Sequence, residues 1–188
     1  MTKPKLTASL LLVAVLLGST ANADTAKPKP PPKACQGPEF RQLDFWVGNW
    51  NLSYNQGKDK PMGTAHNLIT KSALGDCVIT EKFSMPGFHG TSLSTFHKQS
   101  GKWRQTWVDN QGGYFDLAGG PAPKDADYDF GLELVHPEGM KAPFLRMIWQ
   151  IKDADHLVWR WQSKKSEGQN WSDRWVLNYT RVQPTAKH

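Results

Sequence analysis

The sequence predicts an all-β protein: a single antiparallel, up-and-down barrel of about ten strands, entered through a short N-terminal helix. Three observations carry this. Nine tryptophans, eight phenylalanines and four tyrosines occur in 188 residues, and aromatic side chains fit the pleated, half-buried surface of a strand. From Trp46 onward, apolar segments of strand length alternate with clusters of Gly, Pro, Asn and Asp, the spacing of an all-β chain. No long stretch keeps the spacing of a helix face, which excludes a βαβ plan.

The chain opens with Lys3 and Lys5, an unbroken apolar run from Leu10 to Leu17, and the small-residue triplet Ala21-Asn22-Ala23. That is the tripartite form of a secretory signal peptide. The run is far short of the roughly 20 residues that a membrane span requires. Residues 1–23 are therefore expected to be removed, leaving an exported product, periplasmic or secreted, with no transmembrane segment. Residues 24–34, D-T-A-K-P-K-P-P-P-K-A, read as a Pro/Lys-rich tether, because proline removes donors and the lysines repel one another. The barrel domain is expected over 35–183. The net charge is +6, and outside the tether the basic residues are scattered. Nucleic-acid binding draws on patches, so no nucleic-acid partner is expected.

Candidate strands follow in order: 46–54, 63–71, 77–84, 90–97, 103–109, 113–117, 128–136, 144–151, 156–163 and 171–181. Residues 37–45 carry the one helical pattern. Gln99–Lys102 and Asn110–Gly113 read as hairpin turns, and Gly119–Asp127 as a flap or rim loop. Ten sequential strands on short turns suit a closed barrel, which has no free edges and at this size holds one small ligand. The two cysteines, Cys35 and Cys77, are expected to form a disulfide in an oxidising compartment.

Period-two reading places Trp103, Gln105, Trp107 and Asp109 on one face of their strand. Likewise Trp159, Trp161 and Ser163 share a face, as do Asp173 and Trp175; Trp149 and Glu81 lie on the apolar faces of theirs. Polar groups converging in an aromatic lining make a ligand cavity. All eleven are therefore candidate ligand-binding residues. The competing reading for Asp109 and Asp173 is that, near strand ends, they bond backbone or solvent. For Gln105 and Glu81 it is that they satisfy each other or a buried water. The six histidines form no ligand-spacing motif, leaving His66, His89 and His97 as the only residual reading of a metal or haem ligand. No metal or cofactor is expected, and no nucleophile elbow, phosphate loop or dinucleotide fingerprint occurs.

The stretch Gly48-Asn49-Trp50, following a short helical turn, resembles the G-x-W signature of the lipocalin and calycin barrels, although the lipocalins' T-D-Y motif is absent. That resemblance implies a late arginine packed over the tryptophan, and Arg181 in N-Y-T-R-V is placed for it, as a cation–π pair closing one end of the barrel. The chain is also similar to an exported bacterial family of uncharacterised function with a lipocalin-like barrel. The residues that carry this resemblance are Asp44–Trp50, Gly75-Asp76-Cys77 with Glu81, Gly90-Thr91-Ser92, Trp103–Gly112, and Trp159-Arg160-Trp161 with Trp171. It implies the fold over nearly the whole domain and no activity.

Two functions are then in contention. One is an exported binding protein holding a flat, partly apolar small molecule in a Trp-lined cavity. The other is an enzyme in the same cavity, with Glu81 or Asp109 as general acid/base, since a carboxylate among tryptophans is pushed towards neutrality. A third use, through the tether, would make the chain an interaction module near the cell wall or outer membrane. If Trp50 closes one end, the function is expected at the other, near Glu81, Gln105 and Trp107.

Overall fold

The computed structural model describes residues 35–136 and 143–183; the expected signal peptide and tether lie outside them. Ten strands form a closed antiparallel barrel in which each strand pairs with its neighbours in sequence and the last pairs with the first. They are β1 (Gly48–Tyr54), β2 (Gly63–Lys71), β3 (Val78–Met85), β4 (Phe88–His97), β5 (Lys102–Asp109), β6 (Tyr114–Pro121), β7 (Phe130–Leu134), β8 (Phe144–Ile151), β9 (His156–Lys164) and β10 (Ser172–Arg181). The all-β reading and the strand count hold. The short helical segment is two 3-10 turns, Pro38–Arg41 and Asp44–Trp46.

The expected flap at 119–127 is a correction. Strand β6 continues to Pro121, with Gly119 opposite Leu132 and Gly120 opposite Gly131. A Cβ on Gly119 would strike the carbonyl oxygen of Gly131, so glycine here lets two backbones meet rather than freeing a loop. Only residues 122–129 connect β6 to β7.

One end of the barrel is plugged by the chain that enters it. Leu43 and Trp46, from the 3-10 segment, are fully buried with Trp50, Trp103 and Trp149. Trp46 meets Trp149 edge-on at 5.2 Å, and Phe130 bridges Trp103 and Trp149. The Trp50 indole N–H donates to the Trp46 carbonyl at 2.8 Å. Arg181 lies over the Trp50 ring, 4.0 Å from its centroid, and donates to the carbonyls of Val47, Phe45 and Ala154. A guanidinium offers five fixed donors, so Arg181 both stacks on the indole and satisfies the carbonyls where the 3-10 turn ends. Gly48 is glycine because any Cβ there would land on the Arg181 Nη1. The disulfide Cys35–Cys77 ties the entering chain to the start of β3. It closes a loop with a sequence separation of 42 and fits an oxidising location. No helix among the described residues is long and apolar enough to cross a membrane.

Candidate functional site

The opposite end is open. There a cavity of about 160 Å³ descends between the strands to Trp46 and Tyr179. Its wall is largely aromatic. Trp159 and Trp161, two residues apart on the inner face of β9, stack parallel at 6.4 Å. Trp175 stands perpendicular to Trp159 at 5.9 Å. Phe83 meets Trp175 at 5.8 Å and Trp107 at 6.2 Å, both edge-on, and Phe115 leans on Trp161 at 5.3 Å. Trp107 lies across Gly90, where a Cβ would enter the indole ring. The glycine of the Gly90-Thr91-Ser92 motif thus makes room for one wall of the cavity.

One charged side chain reaches the floor. Glu81, 6% exposed, accepts from the Asn67 amide at 2.7 Å on one oxygen and from the Ser92 hydroxyl at 2.6 Å on the other. Asn67 also donates to the Tyr179 hydroxyl at 3.0 Å. The register explains the cluster. Glu81 faces Ser92 directly across β3 and β4 and lies one inward position from Asn67 on β2. Burial raises the Glu81 carboxyl from 4.5 to about 7, against the lowering effect of the Ser92 and Asn67 hydrogen bonds. Burial, and then the Glu81 charge, push the Tyr179 phenol up as well, so it stays neutral.

Asp109 stands at the rim and plays a different part. It accepts from the Trp107 indole at 3.0 Å and from the backbone N–H groups of Gln111 and Gly113 at 2.9 Å each. These bonds, the Trp107 one first, hold its carboxyl below the ordinary value. Asp109 caps the β5–β6 turn and fixes the Trp107 ring against the cavity. A carboxylate held in its charged form is a poor proton acceptor near neutrality.

Of the eleven candidate residues, the structure brings Glu81, Trp107, Asp109, Trp159, Trp161 and Trp175 together at the cavity. It separates the other five from it. Trp103 and Trp149 belong to the plug, where Trp103 donates to Gln42 at 3.1 Å. Gln105 is buried beside Ser94 and donates to it at 2.9 Å, so its partner is a serine and not Glu81. Ser163 sits beyond Trp161, opposite Ser172 and Leu145. Asp173 is turned outward, because a β-bulge between Asp173 and Trp175 breaks the alternation that placed both on one face. It bonds Arg160 and Gln162 on the barrel's outside.

Asn67, Ser92 and Tyr179 escaped the sequence reading as site residues. The signal was there for Asn67, a polar residue in phase with the inward Gly63, Ala65 and Ile69 of β2. His66 pairs with Asn49, and His97 with Ser100. Among the described residues no group of His, Cys, Asp or Glu is arranged to hold a metal ion.

A family model described as "Protein of unknown function (DUF1579)" matches residues 36–181. A crystal structure of Rv2717c from M. tuberculosis superposes with a TM-score of 0.50 at 15% identity, covering 78% of this chain and 99% of that one. At that identity the likeness is one of fold. No curated protein matches the chain.

Proposed function

The chain belongs to DUF1579, a family of unknown function, and on that premise we propose that it is an exported protein that binds one small, flat, partly apolar molecule in the aromatic cavity at the open end of the barrel. The carrying observation is the cavity itself, with aromatic walls and one buried carboxylate at its floor. A volume on the order of 150 Å³ lined by apolar groups takes up a benzene-sized molecule. Ligand sites are mostly apolar concavities with a few placed polar groups, and here Glu81 is the group that orients. Export agrees with the signal-like N-terminus and with the disulfide.

A native mass spectrum of the protein purified from its own cells tests the reading. A co-purifying small mass is expected, lost when Trp161 or Trp175 is replaced by alanine. A bare polypeptide, together with tryptophan fluorescence that no one-ring compound changes, would refute it.

One observation favours a second reading, an enzyme in the same cavity. Glu81 titrates near neutrality and touches the cavity, as a general acid/base requires. Asp109 is the weaker candidate because its hydrogen bonds hold it ionised. A Glu81→Gln protein that binds the co-purifying molecule but no longer converts it would establish this reading; equal conversion by both proteins would remove it.

A further inference from the structure

The cavity is charged with one sign only. Two carboxylates line it, Glu81 at the floor and Asp109 at the rim, and no lysine, arginine or histidine among the described residues does. Among the rings of its wall, Trp159 and Trp161 are parallel and Trp175 stands perpendicular to Trp159, so the wall carries rings in two orientations. The face of an aromatic ring is its negative region, and cations seat against it, best on tryptophan.

We infer that the ligand is a small organic cation, a single-ring-sized molecule whose ammonium or alkylated nitrogen sits among Trp159, Trp161 and Trp175 and points to Glu81. The inference rests on the ligand-binding reading and names the chemical class of its ligand. An ionised carboxylate offers about four acceptor positions, and Asn67 and Ser92 occupy two of Glu81's. The remaining ones suit an N–H donor carrying the opposite charge. A neutral ring would fill the volume yet leave the buried carboxylate without a counter-charge. An anion would meet Glu81, Asp109 and the negative ring faces at once.

The pH dependence follows from the same groups. Facing Glu81 are Asn67 from β2 and Ser92 from β4, which do not titrate, Tyr179 from β10, which stays neutral, and Asp109 at the rim, which stays ionised. Glu81 alone changes charge near neutrality, and a bound cation draws its proton off. Affinity for a cation therefore rises with pH through about 7, whereas affinity for a neutral molecule does not.

Calorimetric titration of the full chain with benzylammonium, benzyl alcohol and benzoate tests this with one ring and three charges, at pH of about 6 and about 8. Benzylammonium is expected to bind roughly tenfold or more tighter than benzyl alcohol at the higher pH, with the gap narrowing at the lower one, and benzoate is expected to bind weakest. Glu81→Gln should abolish the preference for benzylammonium over benzyl alcohol at both pH values, with near-ultraviolet circular dichroism showing intact packing. If that variant does not fold, the charge series and its pH dependence in the unaltered protein decide. Benzyl alcohol binding as tightly as benzylammonium would overturn the cation inference and leave the binding cavity standing. Preferential binding of benzoate, or a cation preference that survives in Glu81→Gln, would also overturn the inference. Failure of all three to bind would overturn both readings.

Discussion

The two ends of this barrel use the same residue to opposite purposes. At the plugged end Trp46, Trp50, Trp103 and Trp149 are at most 1% exposed and interlock with Leu43 and Phe130. At the open end Trp107, Trp159, Trp161 and Trp175 are only partly buried and stand around space. The difference lies in what arrives from outside the strands. The entering chain delivers Leu43 and Trp46 into one end, and Arg181 fastens it there. Among the described residues no such segment enters the other. An indole at the first end contributes to stability by filling volume, and at the second, on the proposed reading, it offers a surface to a ligand.

The contrast breaks most visibly at the plug. Trp50→Ala is expected to cost about 3–5 kcal/mol, the usual range for a buried tryptophan, and so to lower the melting temperature by roughly 10 °C. Replacing both Cys35 and Cys77 by serine should cost about 3–4 kcal/mol in chemical denaturation, by the loop-entropy argument. Against these, Trp161→Ala at the cavity should cost roughly 1–2 kcal/mol, because the ring is only partly desolvated, while removing ligand binding. If Trp161→Ala proved as damaging as Trp50→Ala, the two ends would not differ in kind.

A pH experiment sharpens the same comparison. The folded protein holds the Glu81 proton up to about 7, whereas the unfolded chain releases it near 4.5. The folded state therefore binds more protons between those values, and stability falls as pH rises through that window. Relative to Glu81→Gln, the unaltered protein should lose on the order of 3 kcal/mol from about pH 4.5 to 7. A parallel pair of stability curves would mean that Glu81 is not buried as described. The smallest effect belongs to Asp173, part of an outward, half-exposed ion pair with Arg160. Asp173→Asn should shift stability by less than about 1 kcal/mol and leave ligand binding unchanged.

Much of this was readable from residues alone. The strands lie within a few positions of their expected bounds, because short alternating segments between turn residues leave little choice of period. The G-x-W motif, with an arginine near the chain's end, marked the closure that Trp50 and Arg181 make. What alternation could not give was depth. Trp103, Gln105, Trp107 and Asp109 share one face of β5 yet run from plug to rim, so the first two are packed away and the last two meet the cavity. Nor could it foresee the bulge in β10 that turns Asp173 outward. The polar partners of Glu81 come from two other strands, Asn67 on β2 and Ser92 on β4, and only barrel closure brings Tyr179 of β10 beside Asn67.

The most direct test follows the tryptophan indole N–H signals by NMR during titration with benzyl alcohol, a neutral one-ring probe. The indoles of Trp107, Trp159, Trp161 and Trp175 should shift together and saturate, while those of Trp50, Trp103 and Trp149 stay in place. Shifts confined to the plug, or none at saturating probe, would contradict a ligand cavity at the open end.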